Sequence, residues 1–109
     1  MMLSNGLNQC VLVGSTTLLI GCANLLKANN FCVRLIVSTD KVVVDWAEAN
    51  GISIASSLEN LDFFISKNCV KYLFSIVNHN IIPKAIIANS DLIAINYQLR
   101  NDETARFAR

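Results

Sequence analysis

Val70 to Pro83, VKYLFSIVNHNIIP, restricts the possible folds of this chain more than any other stretch. A dense apolar run, Tyr72, Leu73, Phe74, Ile76 and Val77, breaks off at the polar corner Asn78-His79-Asn80, resumes with Ile81 and Ile82, and reaches Pro83. β-Branched and aromatic residues dominate the run and polar alternation is nearly absent, the pattern of a strand covered on both faces. Pro83 suits a first helical turn, where its fixed φ and missing N–H are both tolerated. A buried strand, a polar corner and a helix in that order are the unit of an open α/β sheet, and such sheets hold ligands beyond the carboxyl ends of their strands.

The rest of the chain repeats that unit. Cys10 to Val13 reads as a first strand, with the turn Gly14-Ser15-Thr16 leading into a helix over Thr17 to Ala28. Leu18, Cys22, Leu25 and Leu26 recur at helical intervals, with Leu19 and Ile20 apolar as well, so this helix is expected to be covered on more than one side. Gly21 weakens it by about 0.8–1 kcal/mol relative to Ala, a cost that close approach to the sheet would explain. Asn29-Asn30 ends it, and Val33, Leu35, Ile36 and Val37 form a second strand. Asp40 is an N-cap for the next helix, whose apolar face is Val42, Val43, Trp46 and Ala47 and whose wet face is Lys41, Asp45 and Glu48. Asn50-Gly51 stops it. Ile52 to Ala55 is a brief third strand. Ser56 and Glu59 have capping-box spacing ahead of a short helix carrying Leu58, Leu61, Phe64 and Ile65. Pro83 to Asn89 gives a further helical turn or two, and Leu92 to Asn96 a fifth strand. The alternation β-α-β-α-β-α-β-α-β predicts an α/β fold, a Rossmann-like, mostly parallel five-stranded sheet with flanking helices.

Composition narrows the function classes. With 109 residues there is room for one domain, and 53% hydrophobic residues against 16% charged argue for a well-buried core or a sticky face. A net charge of +1 gives no basis for binding nucleic acid. No apolar run reaches the roughly 18–20 residues of a membrane span, and Met1 to Gln9 lacks the positive region of a signal peptide, so a cytoplasmic protein with no membrane partner is expected. Cys10, Cys22, Cys32 and Cys69 form no C-x-x-C and sit in apolar segments, which predicts buried, reduced thiols and no metal site. Trp46 and the phenylalanines read as core, and no aromatic-basic platform for bases is present.

Three groups of residues could carry chemistry. Gly14-Ser15-Thr16 follows the first strand, where backbone N–H groups at a helix start can hold an anion; a simple βα turn is the plainer reading. The dinucleotide fingerprint G-x-G-x-x-G and the Walker lysine are both absent, which disfavours a nucleotide-binding domain. Asp40 has the position of a ribose-binding acid, but capping accounts for it. At the end of the fourth strand, His79 can serve as an acid or base near neutrality and Asn78 or Asn80 can steady charge on a carbonyl oxygen; a histidine that merely satisfies its loop is the competing reading. Asn96 ends an otherwise apolar strand and is either a cap or a site residue. Its neighbours Tyr97 and Gln98 supply neither a general base nor a metal ligand.

From Cys10 to Tyr97 the chain resembles the N-terminal half of the folate-dependent formyltransferase domain. That group includes methionyl-tRNA, glycinamide ribonucleotide and sugar N-formyltransferases and the formylation domains of peptide synthetases. The resemblance rests on the first strand with Gly14-Ser15, on Ala47 to Ile54, on Leu73 to Pro83 and on Ile95-Asn96-Tyr97. It implies a Rossmann-like sheet of the formyltransferase N-terminal type and transfer of a formyl group from 10-formyltetrahydrofolate to an amine. It places the pterin against the backbone of Ser75, Ile76, Val77, Asn78, His79, Asn80, Ile81 and Ile82, near Gly14 and Ser15. Asn96 matches the asparagine that polarises the formyl oxygen.

The family expects a histidine two residues beyond that asparagine, where this chain has Gln98, and an aspartate farther along than this chain extends. The resemblance thus implies a truncated domain over residues 1–98, with 99–109 a charged tail out of family register. That tail holds five of the seventeen Asp, Glu, Lys and Arg side chains. It reads as a helical turn capped by Asn101 or Asp102, or as a frayed end, with the sheet abandoned after its fifth strand. Without a histidine or aspartate to accept the amine's proton, formyl transfer by the chain alone is not expected. A non-catalytic module that binds a small ligand such as folate, or one that dimerises through an exposed sheet edge or helix face, is the alternative.

Overall fold

The apolar runs become parallel strands in the expected order. The computed structural model describes residues 8–78, 82–88, 92–98 and 106–107. In chain order the elements are β1 (Gln9–Gly14), α1 (Thr16–Ala28), β2 (Cys32–Val37), α2 (Lys41–Ala49), β3 (Ile54–Ala55), α3 (Leu61–Lys67), β4 (Tyr72–Ile76), α4 (Lys84–Ile87), β5 (Ile93–Gln98) and β6 (Arg106–Phe107). The sheet order is β3-β2-β1-β4-β5-β6. β1 to β5 are parallel throughout, and β6 joins β5 antiparallel. The fold is therefore α/β with five parallel strands and flanking helices. The chain does not abandon the sheet after β5, because an antiparallel strand needs no crossover to return. The expected cap at Asn101 or Asp102 lies outside the described residues.

Alternating side chains of β1 divide the core in two. Val11 and Val13 pack with Leu35, Val37, Leu61, Ile65, Leu73 and Ile86 on the side of α3 and α4. Cys10 and Leu12 pack with Leu19, Ala23, Ile36, Val43, Ala47 and Ile76 on the side of α1 and α2. Coverage on both sides is what the missing polar alternation required.

Three helices end alike. Asn30, Gly51 and Cys69 take left-handed backbone at φ of 70°, 68° and 55°. The next residues along the chain, Phe31, Ile52 and Val70, donate their N–H groups back to Leu26, Ala47 and Ile65 at 2.9–3.0 Å. Each is a Schellman closure whose apolar last residue returns to the core.

Several local expectations are corrected. Gly21 is exposed, and a Cβ there would meet nothing within 4 Å; the close approach occurs at Gly14 instead. Ser56 caps no helix. The residue before α3 is Asn60, in left-handed backbone without a side-chain cap, while the Ser57 hydroxyl accepts from the Glu59 amide at 3.3 Å. Val42 and Phe63 are exposed, and Trp46 is half-buried beneath Lys27, so the apolar face of α2 is narrower than its sequence and the aromatics are not all core. Of the four free thiols only Cys10 is fully buried. Cys32 and Cys69 are exposed, because one opens β2 and the other occupies the left-handed closure of α3. Among the described residues no helix is long and apolar enough to cross a membrane.

Candidate functional site

The strand order reverses between β1 and β4: the chain runs outward from β1 through β2 to β3, then returns to the other side of β1 as β4. Crevices form at such switch points because the connections leave the carboxyl ends of neighbouring strands in opposite directions. Here a cleft of about 240 Å³ is lined by Gly14, Ser15, Val37, Ser38, Thr39, Ser56, Val77 and Asn78. These residues end or come just after β1, β2, β3 and β4. Among the described residues no charged side chain lines it.

Close approach of the backbones sets its floor. A Cβ on Gly14, whose φ is +150°, would fall 1.7 Å from the Ile76 carbonyl oxygen, so only glycine fits. The Ser15 amide donates to that same oxygen at 3.3 Å, and the Ser15 hydroxyl donates to the Val77 carbonyl at 3.2 Å. Val77 has φ of +47° and Thr16 has φ of +73°. Left-handed backbone at a β-branched residue is strained by about 1–3 kcal/mol, and such strain gathers where ligands are held. Both outliers sit at the switch point.

Asp40 ties the helix starts together. Its carboxylate accepts from the Val42 amide at 3.1 Å, the expected cap of α2, and also from the Thr16 amide at 2.8 Å, at the start of α1. The Asp40 amide in turn donates to the Ser38 hydroxyl at 3.1 Å.

Of the residues singled out in the sequence, the cleft brings together Gly14, Ser15, Val77 and Asn78. Asn78 is buried. Ser75 and Ile76 are buried inside the sheet, and Ile82 packs against the core on the α3 and α4 side. Asn96 pairs in register with Ser75, is exposed, and is not part of the cleft lining. His79, Asn80 and Ile81 lie outside the described residues. Sequence reasoning missed Ser38, Thr39 and Ser56 as lining residues. The available signal is the one that marks Asn78, a polar residue directly after an apolar strand, but the capping-box spacing of Ser56 points to a different role. No group of three His, Cys, Asp or Glu side chains that could hold a metal occurs among the described residues.

Compared with protein-family models, curated proteins and solved structures, the chain matches none.

Proposed function

We propose that this chain is a non-catalytic, formyltransferase-like binding domain that receives the pterin ring of a reduced folate such as 10-formyltetrahydrofolate in the switch-point cleft. The observation carrying this reading is the position and chemistry of that cleft. Its described lining consists of four hydroxyl side chains, one amide, Gly14 and the two valines Val37 and Val77, the latter with strained backbone, without a charged side chain. A pterin is a flat, neutral ring with amide-type donors and acceptors, and such an edge is matched by hydroxyl and backbone groups. Drug-sized ligands fill about 300–1,000 Å³, so a cleft of about 240 Å³ fits the ring and leaves a charged tail outside.

The chemistry of transfer is where this chain falls short. Asn96 could donate to a formyl oxygen, but it is exposed on β5 and the residue two positions on is Gln98, which cannot accept a proton from an attacking amine. The test is calorimetric titration of the purified 109-residue chain with 10-formyltetrahydrofolate, paired with a formyl-transfer assay on a panel of amines. Saturable binding without turnover is expected. Absence of binding removes the reading, and turnover removes its non-catalytic half.

A second reading, self-association, is favoured by β5. Ile93 and Ile95 are 53% and 43% exposed beside Tyr72 and Phe74 of β4. Contiguous apolar surface of this kind marks interfaces. We expect weak homodimers through this sheet face rather than through a sheet edge, measurable by sedimentation over a concentration series; a monomer at high micromolar concentration contradicts it.

A further inference from the structure

The start of α1 has the position of a phosphate site in a doubly wound sheet, just beyond β1 at the switch point. Three of its amides are already engaged. Ser15 donates to the Ile76 carbonyl at 3.3 Å, Thr16 to the Asp40 carboxylate at 2.8 Å, and Leu18 to the Thr16 hydroxyl at 3.2 Å. Gly14, which elsewhere would let a phosphate approach the backbone, here lets β1 approach the Ile76 carbonyl. A protein carboxylate therefore stands where a ligand's anion would have to stand. It is held from a second direction by the Val42 amide at 3.1 Å.

We propose that Asp40 is a specificity-determining residue that turns this cleft against phosphate-bearing ligands and toward uncharged, hydrogen-bonding ones. This rests on the reading of the cleft as a ligand site and names the class of ligand it takes. Two effects act together. A phosphate oxygen at the start of α1 meets a like charge nearby, and it finds the Ser15, Thr16 and Leu18 amides already satisfied. A neutral ring meets neither obstacle. It finds the Ser15 oxygen, whose proton is committed to the Val77 carbonyl, as an acceptor, and the Ser38 hydroxyl, which already accepts from the Asp40 amide, as a donor.

The decisive experiment titrates the full chain and Asp40→Asn with inorganic pyrophosphate and, separately, with AMP, by calorimetry. Asparagine caps a helix about as well as aspartate, so the substitution removes the charge and keeps a cap; Asp40→Ser is the second variant if the first melts out. The unmodified chain is expected to take up neither probe at millimolar concentration. Loss of the charge is expected to strengthen pyrophosphate binding by about tenfold or more. Tight uptake of pyrophosphate or AMP by the unmodified chain overturns the inference, as does a folded variant with no gain. These outcomes are separate from the folate titration: a chain that binds no folate defeats the functional reading, while one that binds folate and pyrophosphate alike defeats only the role of Asp40.

Discussion

The two halves of the sheet are finished differently. On the side of α1 and α2, the strands β1 and β2 lie beneath two helices, and Cys10, Leu12 and Ile36 are wholly buried. On that same side only Ile76 of β4 is fully covered, Tyr72 and Phe74 are half-buried in an aromatic cluster with Phe31, and β5 exposes Ile93 and Ile95. The side on which each crossover passes explains the contrast. A helix of 13 residues links β1 to β2 and one of 9 links β2 to β3, whereas a helix of only 4 residues, on the opposite face, links β4 to β5. Among the described residues β5 is succeeded by an antiparallel strand and not by a crossover helix. The covered half supplies stability and the floor of the cleft; the open half supplies surface.

The substitution that should break this contrast most severely is Gly14→Ala at its seam. The new Cβ collides with backbone in a conformation alanine resists, so a loss of about 3 kcal/mol or more, or failure to fold, is expected in urea denaturation. A stable, soluble Gly14→Ala protein would mean that β1 and β4 are not joined as described. Next in size, Leu12→Ala in the covered half should cost about 2–5 kcal/mol. Ile95→Ala in the open half should cost under about 1 kcal/mol, since much of that side chain is already in water. Equal losses at the two positions would show that something covers β5.

The thiol of Cys10 sharpens the comparison through pH. Burial, aided by nearby Cys32, pushes it up to about 12 from 9.0. A folded-state pKa above the unfolded one means that the buried neutral thiol's contribution is complete below pH 9 and lost as pH rises toward 12. The stability advantage of the unmodified chain over Cys10→Ala should thus shrink by about 2–3 kcal/mol by about pH 11. A constant difference would place that thiol in contact with solvent. The smallest effect belongs to Gly21→Ala, exposed on α1 with open space around it. It should stabilise by about 0.8–1 kcal/mol, read as a rise in melting temperature.

Much of this fold was legible because parallel strands announce themselves. Val11, Val13, Leu35, Val37 and Leu73 belong to strands apolar on both sides of the sheet, and Asn30 and Gly51 mark helix ends by chemistry that is local to the chain. Cys69 was not legible as a helix end, since cysteine has no special tolerance for left-handed backbone. Strain at Val77 was likewise invisible, because a β-branched residue after Ile76 reads as one more strand position. The role of Asp40 was half legible. Its cap on Val42 is a neighbour relation, whereas its bond to Thr16 spans 24 positions and needs β1 and β2 side by side. Ser38, Thr39 and Ser56 were hidden for the same reason: nothing in their own surroundings says that several strand ends converge.

The central claim is that the ligand sits where β1, β2 and β4 end. The most direct measurement is an amide-resolved NMR titration of the isotopically labelled chain with 10-formyltetrahydrofolate. We predict that the largest shifts fall on Gly14, Ser15, Ser38, Thr39, Val77 and Asn78, with the amino-terminal ends of the same strands, Cys10 and Tyr72, unmoved. Shifts centred on Asn96 and β5, or none anywhere at saturating folate, would contradict that placement.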